Sequence, residues 1–180
     1  MSHFSVAAAL VAACAGTALA GPLVPPAGPV TPTNKTLSEV EPRIAVNTTN
    51  TPGDANSLFK ITQPGSYYLV GNITGQAGLH GIEIASQDVT LDLNGFALQG
   101  VAGSLDGIAT SALRFRITIR NGSVISWGED GIDLTEGGEL VRQVILEDLH
   151  VSSNAGRGVS VGRNAVIRDC TSEFNGDTGF

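Results

Sequence analysis

The stretch DVTLDLNGFALQG, Asp88 to Gly100, sets the pattern for the rest of the chain. It consists of a short β-type run, an Asn, a second short run and a closing Gly. Related strings begin at Ile117 (ITIRNGSVISWG), Val144 (VILEDLHVSSNAG) and Ala165 (AVIRDCTSEFNG). Self-similarity at a nearly constant spacing indicates a repeat architecture, in which each unit packs mainly against its neighbours.

Two independent sets of residues give the length of the repeat. A glycine followed by an apolar residue opens each unit, and an Asn or Asp marks its middle. The glycines are Gly81, Gly107, Gly131, Gly158 and Gly179, and the polar markers are Asn94, Asn121, Asp148 and Asp169. Both sets recur every 21 to 27 residues. That length holds two or three short strands with tight corners, and it leaves no room for a packed helix.

Apolar and polar side chains alternate inside each unit. Between Val89 and Leu93 the apolar residues take one face, and Thr90 and Asp92 take the other. Stacked units of this kind form turns about 4.8 Å apart around one continuous apolar core. The sequence therefore predicts an all-β fold: a right-handed, single-stranded parallel β-helix, or solenoid, with about four visible coils and a short N-terminal cap.

Setting the copies in register aligns two polar columns. The first is a structural corner column, since Asn and Asp bond unpaired backbone groups at turns and tolerate left-handed backbone. Its members are Asn94, Asn121, Asp148 and Asp169. The second column alternates in sign and is predicted to be a structural ion-pair ladder. Its members are Asp92, Arg120, Glu147 and Arg168. Both assignments remove conspicuous polar residues from the candidates for catalysis.

The chain divides into three segments. Residues 1–20 have the apolar core and the Ala18-Leu19-Ala20 site of a secretory signal peptide, with cleavage expected after Ala20. A lipoprotein signal with lipidation at Cys14 is the alternative. Residues 21–51 form a Pro-rich tether and a capping segment with one short helical turn near Thr36, and residues 52–180 form the β-helix. The last residues open a further coil, so a truncated C-terminus is expected.

Composition restricts the class of partner. The formal net charge is −7 and the pI is near 4.8. An acidic protein is not expected to bind nucleic acid, because clustered Lys and Arg are needed to neutralise the phosphate backbone. No other segment is apolar enough to span a membrane. Once the signal is removed, Cys170 is the single cysteine, which excludes an intramolecular disulfide.

The sequence resembles the secreted right-handed parallel β-helix proteins of the pectate-lyase-like superfamily, most of all bacterial members. The phrases that carry the resemblance are PGSYYL, GNITG, HGIEI, VTLDLNGF and DGI, which begin at Pro64, Gly71, His80, Val89 and Asp106. The resemblance covers roughly Pro52 to Phe180. It implies the fold and leaves the function open, because the superfamily includes polysaccharide lyases, hydrolases, epimerases, phage tailspikes and proteins with no known activity.

The signatures of individual enzymes in that superfamily are incomplete here. The W-x-D-H and R-x-P-x-x-R motifs of pectate lyases are absent, since Trp127 is followed by Gly128-Glu129-Asp130. The string from Glu129 to Leu134 is similar to the D-G-I-D part of polygalacturonases, but Gly-Ile opens every coil of this chain. The catalytic residues therefore stay unknown.

The densest acidic run extends from Glu129 to Glu139. Oxygen-rich flexible clusters can bind Ca²⁺, and Asp130, Asp133 and Glu136 are the candidate ligands. A solvated loop is the alternative interpretation, because the spacing matches neither an EF-hand nor the G-G-x-G-x-D repeat.

Three functions fit the sequence. The first is a secreted or surface-exposed β-helix protein with a binding or structural role. Carbohydrate is its expected ligand class, in the form of a polysaccharide lying along the stacked coils. The second is a polysaccharide lyase or glycoside hydrolase whose catalytic residues lie partly outside this chain. The third is an inactive domain fragment. Binding or architecture is favoured over catalysis, because no set of residues forms a recognisable active site.

Overall fold

The computed structural model describes residues 41–135 and 141–180. Within these ranges the chain forms short β-strands and no helix. The strands are β1 (Ile44–Ala45), β2 (Ser57–Ile61), β3 (Gly65–Tyr68), β4 (Ile73–Thr74), β5 (His80–Ile84), β6 (Val89–Asp92), β7 (Ala97–Gln99), β8 (Ile108–Ala109), β9 (Phe115–Ile125), β10 (Ile132–Asp133), β11 (Arg142–Ser152), β12 (Val159–Ser160), β13 (Val166–Arg168) and β14 (Thr171–Glu173).

The strands pair in parallel and belong to two sheets. Sheet B has the order β12-β10-β8-β5-β2. Sheet A has a first half, β1-β3-β6-β9-β11-β13, and a second half in which β7 pairs with β4 and β9, and β14 pairs with β11. Each turn of the chain contributes one strand to sheet B and then passes through both halves of sheet A. The fold is thus a parallel β-solenoid of about four turns, which confirms the fold class predicted from the repeat; its right-handed winding stays a prediction.

Register between turns follows the repeat found in the sequence. Val89 pairs with Ile117 and Ile117 with Val144, so the aligned copies lie directly above one another. The inward positions form continuous columns of aliphatic residues, for example Leu91, Ile119 and Leu146, which are fully buried. Because no turn can bury its own apolar face, each one depends on its neighbours for stability.

The first turn of the stack is followed on its outer side by one further strand. The segment predicted to cap the first turn contains β1, which pairs with β3 and so adds a strand to sheet A. The helical turn expected near Thr36 lies outside the described residues.

Among the described residues, no helix is long and apolar enough to cross a membrane.

The glycine that opens each unit is required by the close approach of successive turns. The Gly81 amide donates to the Asp106 carbonyl oxygen, and the Gly107 amide donates to the Asp130 carbonyl oxygen. A Cβ atom added to Gly81 or to Gly107 would lie 2.5 Å from the carbonyl oxygen of the glycine in the next turn. Side chains therefore cannot be accommodated in this column without displacing backbone.

Trp127 and an asparagine pair fill the corner after sheet A. The Trp127 indole is 1% exposed, lies against Gly81 and donates through Nε1 to the Leu98 carbonyl oxygen at 3.2 Å. In the next turns Asn154 Oδ1 accepts the Trp127 amide, and Asn154 Nδ2 donates to Asn175 Oδ1 at 2.9 Å. Stacked asparagines thus satisfy buried backbone groups that the corner leaves unpaired.

We expect Gly107→Ala to destabilise the protein by about 1–3 kcal/mol, because the added methyl group overpacks the contact with the Gly131 carbonyl oxygen. Urea denaturation followed by circular dichroism measures the change. Gly71→Ala is the matched control, since no atom lies within 4 Å of the added Cβ there. Equal midpoints for the two variants would contradict this account of the glycine column.

Candidate functional site

The four residues of the predicted corner column all have left-handed backbone. Their φ angles are 54° at Asn94, 60° at Asn121, 51° at Asp148 and 53° at Asp169. Asn94 Nδ2 donates to the Leu69 carbonyl oxygen in the preceding turn at 3.2 Å. These angles bend the chain between the two halves of sheet A. Asn121 lies inside the long strand β9 and Asp148 inside β11, whereas Asn94 and Asp169 lie between two short strands.

The predicted ladder residues lie in register on four successive turns. Asp92 pairs with Arg120, Arg120 with Glu147, and Glu147 with Arg168 along the sheet. Two ion pairs form among them: Arg120 Nη2 lies 3.1 Å from Asp92 Oδ2, and Arg168 Nη2 lies 2.8 Å from Glu147 Oε2.

Asp92 is more buried and more extensively paired than an outward ladder residue would be. It is 5% exposed, and its Oδ2 atom also lies 3.3 Å from Arg43 Nη1. Its Oδ1 atom accepts the Asn94 amide at 2.8 Å and Asn121 Nδ2 at 3.1 Å. A buried carboxylate with this many donors is satisfied by structural partners, and Arg43 is a member of the set that the repeat pattern did not reveal.

Carboxylates converge on sheet B, in a cleft of about 400 Å³ that we call the acidic cleft. It is lined by Asp106, Gly128, Glu129, Asp130, Asp133, Ala155, Gly156 and Arg157. Asp106 Oδ1 accepts the Asp130 amide at 2.8 Å, and Asp130 Oδ1 accepts the Arg157 amide at 2.6 Å. Arg157 Nε also lies 3.2 Å from Asp130 Oδ2. Side chains in this cleft therefore link three successive turns to one another.

The electrostatics of the acidic cleft raise the pKa of one of its carboxyl groups. Burial raises the pKa of Asp130, and the carboxylates of Asp106 and Asp133 raise it further, while Arg157 opposes them. Of the three predicted calcium ligands, Asp130 and Asp133 both line this cleft, and Glu136 lies outside the described residues. Within 41–135 and 141–180, no group of three or more His, Cys, Asp or Glu side chains could hold a metal ion.

A second cleft of about 300 Å³ on sheet B surrounds Glu83, which is 3% exposed. Lys60 Nζ lies 2.9 Å from Glu83 Oε2, and Ser111 Oγ donates to Glu83 Oε1 at 2.6 Å. His80 Nδ1, at the same cleft, lies 3.2 Å from Asp106 Oδ2. Both carboxylate oxygens of Glu83 are thus occupied by neighbouring side chains of this chain.

Sheet A carries a larger depression of about 510 Å³ on its first half, which we call the groove. It is lined by Asp88, Thr90, Arg116, Thr118, Gln143, Val144, Ile145, Asn164 and Val166. Its floor is a column of outward side chains in register, in which Thr90 pairs with Thr118, Thr118 with Ile145, and Ile145 with Val166. Val166 is 50% exposed. The floor therefore offers hydroxyl groups on two successive turns and aliphatic surface on the next two.

A second left-handed column forms one edge of the groove. The φ angles are 56° at Asp88, 58° at Arg116, and 60° at both Gln143 and Asn164. Left-handed backbone costs about 1–2 kcal/mol for most residues, and Gly, Asn and Asp bear it best. Arg116 and Gln143 are unfavourable residue types for left-handed backbone. Backbone strain of this kind is concentrated at functional sites.

The sequence did not predict that these four residues form one edge of a groove, although they occupy the same position in the aligned copies. Each of the four residues directly precedes the first aligned apolar residue of its copy, for example Asp88 before Val89. Their chemical identities differ from turn to turn, so no residue-type pattern marks the position. Only the backbone angles and the shared groove show that they belong together.

The groove and the clefts differ in how their polar groups are used. Within the described residues, the side chains of Thr90, Thr118, Gln143 and Asn164 accept or donate no hydrogen bond to another protein atom. In the clefts, by contrast, Glu83, Asp106 and Asp130 are held by partners from adjacent turns. The groove thus keeps its hydrogen-bonding capacity available for a ligand, and the clefts use theirs to join turns.

Comparison of the chain with protein-family models, curated proteins and solved structures finds no match. The chemistry of the groove therefore has to be judged from its own geometry.

We expect Arg120→Glu to lower the free energy of unfolding by about 1 kcal/mol or more, because it removes one partner of buried Asp92 and places a like charge beside it. Chemical denaturation at low ionic strength gives the value. Arg142→Glu is the control, as it reverses an exposed charge on neighbouring β11 that forms no ion pair among the described residues. The same loss in both variants would rule out a specific contribution from the ladder.

The acid side of the stability profile should depend on Asp54. Lys60, 2.7 Å away, holds the pKa of Asp54 at about 2, below its ordinary value of 3.8. A carboxylate with a lowered folded pKa stabilises the protein above its unfolded pKa, and that contribution is lost as the pH falls. Asp54→Asn is therefore expected to flatten the decline in melting temperature between about pH 4 and pH 2. A slope identical to that of the unmodified protein would contradict this assignment.

Proposed function

We propose that this chain is a β-solenoid that binds an uncharged carbohydrate polymer in the groove on sheet A. The observation that carries the proposal is the set of hydroxyl and amide groups that line the groove without a protein partner among the described residues. We also propose that the protein acts outside the cell that makes it, on the strength of the signal-like residues 1–20 alone.

A sugar ring presents hydroxyl groups at its rim and C–H groups on its faces. The groove supplies matching chemistry, because Thr90 and Thr118 offer hydroxyl groups and Gln143 and Asn164 offer planar amides. Ile145 and the half-exposed Val166 offer aliphatic surface in the same depression. Few polar groups placed around an apolar floor are typical of sites that orient a ligand.

The solenoid repeats these contacts along its axis. Thr90, Thr118, Ile145 and Val166 occupy one register position on successive turns, about 4.8 Å apart. A polymer lying along the axis meets an equivalent position at every turn, so that weak individual contacts add up. The resemblance of the sequence to pectate-lyase-like proteins supports a carbohydrate as the ligand class.

The acidic cleft supports a second candidate, a polysaccharide lyase or hydrolase. Burial raises the pKa of Asp130, and a carboxyl group of this kind can serve as a general acid. The Asp130 carboxylate is, however, held by the amide and the side chain of Arg157. Because these contacts already use both oxygens of the Asp130 carboxyl group to join two turns, binding without catalysis is the better-supported function.

Affinity electrophoresis in gels containing hydroxyethylcellulose, galactomannan or dextran tests the proposal. We expect at least one of these neutral polymers to retard the protein. Thr118→Val should weaken that retardation about fivefold, the effect of losing one hydrogen bond worth about 1 kcal/mol. Gln143→Gly should weaken binding while leaving stability equal or higher, because glycine accepts left-handed backbone without strain.

Thr62→Val is the matched control, since Thr62 is exposed and lies outside the groove. A protein that migrates unretarded in all three neutral gels would overturn the proposal. The same preparation incubated with polygalacturonate or alginate is assayed for unsaturated products and new reducing ends. Product formation that Asp130→Asn abolishes would instead establish the enzyme at the acidic cleft.

A further inference from the structure

Among the described residues that line the groove, Asp88 and Arg116 are the two that carry a charge. They lie at adjacent register positions on its edge, and the guanidinium group of Arg116 contacts both carboxylate oxygens of Asp88. Nε donates to Oδ1, and Nη2 donates to Oδ2 at 2.7 Å. Paired in this bidentate way, the two groups leave the groove with no net charge.

Each side chain is held toward this contact by its own backbone. The left-handed corners at Asp88 and Arg116 place both residues on the same edge, one turn apart. The side chains remain about half exposed, 43% for Asp88 and 51% for Arg116, so a ligand in the groove can reach them. Exposed ion pairs of this kind contribute little to stability, so stability alone does not account for the pair.

From this geometry we infer that Asp88 is a specificity-determining residue, which keeps Arg116 occupied and so excludes anionic polysaccharides from the groove. This inference rests on the proposed carbohydrate-binding function and adds the class of polymer that is selected. An unpaired arginine presents two parallel N–H donors that fit a carboxylate or sulfate group on a sugar. In the native groove the Asp88 carboxylate accepts both of these N–H groups, and its negative charge repels a second anion.

The contact between Asp88 and Arg116 favours the charged form of both groups. Arg116 lowers the pKa of Asp88 by hydrogen bonding and charge attraction, and Asp88 raises the pKa of Arg116 in return. Both groups are therefore charged at neutral pH, and Asp88 keeps its charge to a lower pH than a free aspartate does.

The test compares the native protein with Asp88→Asn on hydroxyethylcellulose, galactomannan, dextran, polygalacturonate and alginate at low ionic strength. The native protein should bind a neutral polymer and neither anionic polymer. Asp88→Asn should gain binding to at least one anionic polymer, by about threefold or more, since Arg116 is then unpaired. Added salt should reverse the gain, because the new contact is ionic.

Three control variants distinguish this contact from a change in overall charge. Asp148→Asn removes the same charge outside the groove, and it should not gain anionic binding. The double variant Asp88→Asn/Arg116→Gln should lose the gain. Asp88→Gly, which also accepts left-handed backbone, should reproduce it and serves if Asp88→Asn fails to fold.

The outcomes separate the two proposals. Native protein that binds no neutral polymer overturns the proposed function itself. Neutral binding with no anionic gain in Asp88→Asn overturns only the role of Asp88. Anionic binding by the native protein, or an equal gain in Asp148→Asn, also overturns that role.

Discussion

Parallel hydrogen bonds between successive turns are the interaction on which the rest of this structure depends. They hold the turns about 4.8 Å apart, so that each residue lies directly above its counterpart one repeat earlier. At the glycine column this spacing leaves no room for a side chain, since a Cβ atom at Gly81 or Gly107 would lie 2.5 Å from a carbonyl oxygen of the next turn. Every other column, whether apolar, asparagine or charged, is a consequence of this enforced register.

The same register distributes polar groups into two kinds of surface. On sheet B, carboxylates such as Asp106 and Asp130 accept backbone amides and side chains of the next turn, and they stabilise the stack. On the first half of sheet A, outward Thr90 and Thr118 have no such partner among the described residues. Because a group that bonds within the protein is unavailable to a ligand, the less charged surface is the better binding face.

Much of the fold could be predicted from sequence, whereas the candidate site could not. The spacing of Gly81, Gly107 and Gly131 indicated the turns, and the alternation from Val89 to Leu93 indicated which side chains face inward. The acidic run was predicted to be a candidate calcium site because carboxylates are easily recognised in a sequence. The groove was not predicted, because Thr, Gln and Asn are common surface residues whose significance depends on the residues beside them in the fold.

The repeat, and with it the strands, the inward columns and the register of the corner residues, could be derived from the amino-acid sequence alone. These follow from local periodicity, which is written along the chain. The tertiary structure was needed to show that Asp92 is buried and forms ion pairs with Arg43 and Arg120. It was also needed to show that Asp88 and Arg116 line one edge of the groove. Those contacts join residues 28 or more positions apart, and their geometry arises only when the turns are stacked.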